Sequence, residues 1–174
     1  MIETLDLDLK NKVAIVAGGG SVGEGIGNGR AASILLAEAG AKVLVVDKDK
    51  ELADYTVQMI EKRGGESLSI SADLTKPNQC KKVVDFAVNS WGRLDILDNN
   101  IGIDSKLSVV DETEEHWDRV MDVNLKPMFL MSKYAIPAMV SSGGGGSIVN
   151  ISSISATRPK GFTVYSASKG AVAS

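Results

Sequence analysis

At 174 residues, with 44% hydrophobic and 24% charged side chains, the chain has the composition of a folded globule of about one domain, not of a disordered segment. Lys and Arg number 19 against 22 Asp and Glu, and the net charge of −3 offers nucleic acid no basic face. The lone Cys80 excludes an internal disulfide, and the lone His116 excludes a His-cluster metal site and argues against a Ser-His-Asp triad. The start, MIETLDLDLKNK, is acidic and alternating, unlike a secretory signal, and no apolar run approaches the ~18 residues of a membrane span. A soluble, cytoplasmic protein is expected.

Short β-rich runs alternate with longer helical stretches. Val13 to Ala17 is uniformly apolar and closed by Gly18-Gly19-Gly20, as in a strand buried on both faces. A helix is predicted from about Gly29 to Ala39, stopped by Gly40. Val43 to Val46 reads as the second strand, ending at Asp47, and Glu51 to Arg63 as an amphipathic helix. Leu68 to Ala72 is a third strand, ending at Asp73. Pro77 suits the first turn of the helix that follows. Leu94 to Leu97 is a fourth strand, and from Thr113 one long helix is predicted to about Met139, with acid in its first turn. Ser141 to Ser147 has the composition of a linker, but its place before the strand Ile148 to Ile151 argues for a turn. This alternation implies parallel strands joined by right-handed crossovers.

The glycine-rich run Gly18 to Gly29 lies between the first strand and the first helix, where backbone amides and a helix N-terminus suit a pyrophosphate. A plain flexible turn is the other reading. Asp47 lies 28 residues after Gly19, at a strand end, where a carboxylate accepts ribose hydroxyls and repels a 2′-phosphate. NAD is therefore expected over NADP, although Lys48 beside it would attract a phosphate. Asp73 ends the third strand within reach of an adenine amino group. Tyr165 and Lys169 stand four apart, on one helix face, and a neighbouring ammonium brings a phenol toward useful acidity.

Taken in order, several pieces resemble the short-chain dehydrogenase/reductase family over nearly the whole chain. They are the glycine-rich turn, Asp47, Ala72-Asp73-Leu74, Asn99-Asn100-Ile101-Gly102, Val123-Asn124-Leu125, Ile148 to Ser153 and Tyr165-Ser166-Ala167-Ser168-Lys169. The resemblance implies a doubly wound α/β fold of Rossmann type, three layers deep, as one nucleotide-binding domain over residues 1–174. Its parallel sheet would run 3-2-1-4-5, with the family's last two strands missing. It implies an oxidoreductase that interconverts an alcohol and a ketone by hydride transfer with a nicotinamide cofactor. Tyr165 would be the general acid/base, and Lys169 would hold the nicotinamide ribose and tune Tyr165. Ser153 would bind the substrate oxygen, with Ser152 the less favoured serine, and Asn124 would anchor a proton-relay water. Cofactor contacts would come from Gly19, Ser21, Gly25, Ile26, Asp47, Asp73, Leu74, Asn100 and Gly102, together with Tyr165 and Lys169. Family members commonly assemble as dimers or tetramers.

The chain departs from the family pattern in four places. Gly19, Gly23 and Gly25 fit the usual Gly-x-x-x-Gly-x-Gly, whereas the habitual Gly-Ile-Gly is Gly25-Ile26-Gly27, so the loop looks about two residues longer and its register stays open. Ile101 replaces the alanine of Asn-Asn-Ala-Gly. Pro127 follows Asn124 by three, removes the donor for the Val123 carbonyl and favours a kink that would present the Asn124 region to water. The chain also stops at Ser174, barely into the helix of Tyr165, so the fifth strand would be an apolar edge and much of the substrate pocket would lie elsewhere. The alternative function is dinucleotide binding without turnover. His116 is expected at the surface, Cys80 as an incidental helix cysteine, and Trp91 and Trp117 as packing residues.

Overall fold

A strand covered by helices on both faces must be apolar at every position, and all five residues of β1 (Val13–Ala17) are buried. The computed structural model describes residues 8–23, 25–159 and 161–174. In it β1 pairs in parallel with β2 (Lys42–Asp47) and β4 (Ile96–Asn99), β3 (Ser67–Ser71) adds beyond β2, and β5 (Ser147–Asn150) adds beyond β4. The sheet order is β3-β2-β1-β4-β5, as expected from the sequence. The helices are α1 (Asn28–Glu38), α2 (Lys50–Glu61), α3 (Pro77–Trp91), α4 (Glu114–Asn124), α5 (Lys126–Ser141) and α6 (Thr163–Ala173), with a 3-10 turn at Ile154–Ala156.

Alternation along the strands divides the core in two. Ala14, Val16, Val43 and Val45 pack against Ile34 and Ala37 of α1 and Ala53 and Ile60 of α2. Ile15, Leu44, Val46 and Leu97 face Val83 and Ala87 of α3 and Met131 and Ala135 of α5. Each Val, Leu, Ile or Met among them contributes about 1.5–3 kcal/mol by leaving water, so both helical layers are held firmly. Helix ends follow local chemistry. The Asp49 carboxylate accepts the Glu51 amide (2.9 Å) at the start of α2, and the Thr113 hydroxyl accepts the His116 amide (3.2 Å) at the start of α4. Cys80 is buried and donates to the Leu74 carbonyl (3.2 Å); burial pushes its thiol up to about 11, which leaves it unreactive. His116 is half-exposed and paired with Glu112 (2.5 Å).

Two elements differ from the sequence pattern. The long helix predicted from Thr113 to Met139 is two, broken at Leu125 (φ −115°, ψ −51°). Pro127 offers no N–H to the Val123 carbonyl, and the Met128 amide bonds the Leu125 oxygen (3.1 Å) instead of that of Asn124. The Asn124 carbonyl is thereby freed of its helical donor, while the Asn124 side chain is fully buried rather than presented to water. Strand β4 lies two residues later than the apolar run, because it takes in the buried Asp98 and Asn99.

Asp98 sits between Val16 and Val149 in the sheet register. Its Oδ2 accepts from Asn100 Nδ2 (3.1 Å), its Oδ1 has no partner among the described residues, and burial raises its carboxyl above the usual range. The folded state thus holds this proton more tightly than the unfolded chain does, so stability falls as pH rises from the ordinary carboxylate value through the raised one. Asp98→Val is expected to stabilise the fold by about 1–3 kcal/mol near neutrality. Urea unfolding at pH 5 and pH 8 should show the larger gain at pH 8; a loss at both would refute this account.

Candidate active site

In an open parallel sheet the ligand crevice forms at the carboxyl ends of the strands, where the winding reverses. Here that point lies between β1 and β4, and a cleft of about 780 Å³ opens there. Its walls are Gly18, Gly20 to Val22, Asn28 and Gly29 after β1; Asp47 and Lys48 after β2; Ala72 to Thr75 after β3; Asn100 to Ile103 after β4; and Arg119, Asp122, Val123 and Pro127 across the α4–α5 break.

The glycine loop has one register in the structure. Gly18 turns the chain out of β1 at φ +84°, where its amide bonds the Val46 carbonyl (2.8 Å). A Cβ on Gly29 would lie 2.0 Å from the Gly18 carbonyl oxygen, so α1 can pack this close to the strand end only through glycine. Gly27 precedes the helix without a side-chain cap, leaving first-turn amides for an anion. The Gly-x-Gly at the helix start is therefore Gly27-Asn28-Gly29, two residues beyond Gly25-Ile26-Gly27. Of the expected loop contacts, Ser21 lines the cleft. Gly19 is buried behind it against Val45, and Gly25 and the largely exposed Ile26 lie outside its lining. Gly18, Asn28 and Gly29 were missed because glycine count alone does not distinguish a close approach from open loop.

The strand-end carboxylates have distinct surroundings. Asp47 accepts the Gly20 amide at Oδ2 (3.1 Å) and the Asp49 amide at Oδ1 (3.1 Å), which ties the second strand end to the loop. Asp73 accepts the Thr75 hydroxyl (2.7 Å) and amide (3.1 Å), and the hydroxyl above all holds its carboxyl below the usual range. The Lys48 ammonium is 4.0 Å from Asp73. Leu74, Asn100 and Gly102 all line the cleft.

At the far end, Lys169 is buried and donates to the carbonyls of Ile151 (2.8 Å) and Ile101 (3.4 Å); burial lowers its pKa. A Cβ on Gly102 would lie 3.3 Å from Lys169 Nζ and 3.5 Å from Asn124 Oδ1, so these three residues meet beside the cleft wall. Asn124 accepts the Ile103 amide (2.7 Å) and donates to the Ile103 carbonyl (3.1 Å) and the Ser168 hydroxyl (3.0 Å). Its side chain thus braces the β4–α4 loop against α6. Ser168, not singled out in the sequence, passes the brace on by donating to the Tyr165 carbonyl (2.7 Å). Ser152 donates to the Lys169 carbonyl (2.6 Å), a structural commitment, whereas the Ser153 oxygen accepts the Ser155 amide (3.2 Å). Tyr165 is half-buried on α6, one turn before Lys169. Among the described residues no group of His, Cys, Asp or Glu is placed to hold a metal, and no helix is long and apolar enough to cross a membrane.

The family model described as short chain dehydrogenase matches residues 12–174. A cyclohexanol dehydrogenase from Acinetobacter sp. (strain SE19) is 39% identical over 83% of this chain and 55% of its own length. A 3-oxoacyl-[acyl-carrier-protein] reductase from Thermotoga maritima is 37% identical over 94% of this chain and 65% of its own. The crystal structure of a 7α-hydroxysteroid dehydrogenase complexed with NADH and 7-oxo glycochenodeoxycholic acid superposes with a TM-score of 0.87 at 32% identity, covering 96% of this chain and 63% of that one. The chain thus spans little more than half the length of these relatives. With its parallel sheet ordered 3-2-1-4-5 and the family model matching nearly the whole of it, the chain belongs to the short chain dehydrogenase family.

Proposed function

We propose that this chain carries the cofactor site and the catalytic groups of an NAD-dependent oxidoreductase that interconverts an alcohol and a ketone. The observation that supports this most is the buried Lys169, fixed between the Ile101 and Ile151 carbonyls behind Gly102, in the wall of a cleft that begins at the bare N-terminus of α1. The residues suit a dinucleotide: first-turn amides for the pyrophosphate, Asp47 for the adenosine ribose, and Asp73 and Leu74 for the adenine. Gly102 keeps the wall next to Lys169 free of a side chain.

When bound, a nicotinamide supplies the hydride donor or acceptor. The chain supplies the proton and the field. Tyr165 takes up the alcohol proton in one direction and returns it to the carbonyl oxygen in the other. Lys169, held in place against its burial by its two carbonyl acceptors, holds the nicotinamide ribose. The Ser153 hydroxyl donates to the substrate oxygen as negative charge grows there, which helps the transition state more than the ground state. The Asn124 carbonyl, released at the helix break, accepts the water that relays protons to Lys169. The exposed faces of α5, with Phe129, Ile136 and Val140, suit assembly into a homo-oligomer.

NADH fluorescence on titration, followed by turnover on a panel of secondary alcohols and ketones, tests the reading. NADH is expected to bind better than NADPH. Asp47→Asn is expected to reduce that preference about tenfold, since a charged hydrogen bond to a ribose hydroxyl contributes about 1.5–3 kcal/mol. Binding without turnover on any of the panel, in a chain extended to the length of the relatives, would replace the enzyme with a dinucleotide-binding module.

A further inference from the structure

Arg30, in the first turn of α1, is fully buried, and no carboxylate pairs with it among the described residues. Its guanidinium spends its protons on the glycine loop. Nη1 donates to the Gly23 carbonyl (3.1 Å) and to that of Gly25, Nη2 donates to the Ser21 carbonyl (3.0 Å), and Nε donates to the Thr56 hydroxyl (3.1 Å). Thr56, itself buried on α2, donates in turn to the Gly19 carbonyl (3.0 Å), and the Tyr55 ring covers the guanidinium at 4.9 Å. Around Gly23 and Gly25 there is open space: a Cβ added at either would meet nothing within 4 Å.

Carbonyls 19, 21, 23 and 25 are thus gathered on the α2 side. A trans peptide sets its N–H opposite its C=O, and the described chain has no cis bonds. The amides of Gly20, Val22 and Ile26 are therefore turned away from Arg30. Asp47 takes the first, and Val22 lies in the cleft wall. A buried cation behind a loop with outward amides also makes that wall attractive to an anion.

We propose that Arg30 is the positioning residue of the phosphate wall: it touches no ligand, and by gathering the loop carbonyls it holds the Gly20 to Val22 backbone, which lines the cleft, in the shape that receives a dinucleotide pyrophosphate. This rests on the cleft being the dinucleotide site. A guanidinium is required because one planar group must reach three carbonyls and a hydroxyl at once; a lysine has the charge without the fork.

Amide hydrogen exchange tests the clamp without any ligand. Arg30→Met and Arg30→Lys are expected to exchange at least about tenfold faster over residues 21–26, with β1 and β2 amides unchanged. Thr56→Val, nearly the same size, is expected to act in the same direction and carries the test if the arginine variants do not fold. In the same proteins NADH affinity should fall about tenfold or more, while adenosine, which needs no phosphate wall, should bind as before. Native exchange in all three variants, or full NADH affinity in Arg30→Lys, overturns the proposal. A wild-type chain that binds no NADH overturns the reading of the cleft, and with it the ligand half of this inference; the exchange result still decides the clamp.

Discussion

Turnover in Tyr165→Phe is expected to fall by about 10²–10⁴-fold, with NADH affinity unchanged. The substitution removes one oxygen and keeps the ring, so α6 should retain its packing through Val164 and Ser168, both fully buried. Only the proton shuttle is lost. Lys169 stays where the Ile101 and Ile151 carbonyls hold it, and the cleft keeps its walls. Single-turnover reduction of a ketone with NADH, monitored by nicotinamide absorbance, separates the loss of chemistry from any loss of binding. Substantial residual turnover would show that another group, Ser153 first among them, moves the proton.

Gly29→Ala is expected to abolish measurable NADH binding and to destabilise the fold by about 1–3 kcal/mol. The added methyl would lie 2.0 Å from the Gly18 carbonyl oxygen. Gly18 cannot retreat cheaply, since its positive φ and its bond to the Val46 carbonyl fix the strand exit. Either α1 is pushed from the sheet or the turn is rebuilt, and both displace the first-turn amides. Gly25→Ala is the control: open space surrounds that position, so thermal stability and NADH affinity should change little. Thermal melts and NADH titrations of the pair choose between a helix entry at Gly27-Asn28-Gly29 and one at Gly25-Ile26-Gly27. A harmless Gly29→Ala, with a damaging Gly25→Ala, would restore Gly25-Ile26-Gly27 as the helix entry.

Much of this architecture was legible because buried parallel strands demand unbroken apolar runs and their crossovers demand helical periods. Val13–Ala17 and Lys42–Asp47 follow that rule closely. Glycine identity hid more. Nothing in the letters separates Gly29, under a carbonyl, from Gly23 and Gly25, in open space. Nothing in the helical pattern marks Arg30 as buried, because its burial comes from a loop folding back over it. The break at Leu125 was foreshadowed by Pro127, yet the apolar spacing on either side continues as if one helix ran through. The β4 boundary slipped because burial there includes Asp98 and Asn99, which no hydrophobic pattern reveals. The family resemblance alone ranked Ser153 above Ser152; the physical difference, that the Lys169 carbonyl claims the Ser152 hydroxyl, is visible only in the fold.

The interruption at Leu125 also divides mechanical duties. Beyond it, α5 is anchored in the interior by Leu130, Met131, Ala135 and Met139, whereas α4 sinks only Val120 and Asn124. With fewer backbone bonds bridging the joint, α4 is the side that yields at lower cost. It carries Arg119, Asp122 and Val123, so that share of the crevice wall rests on the less deeply rooted of the two helices.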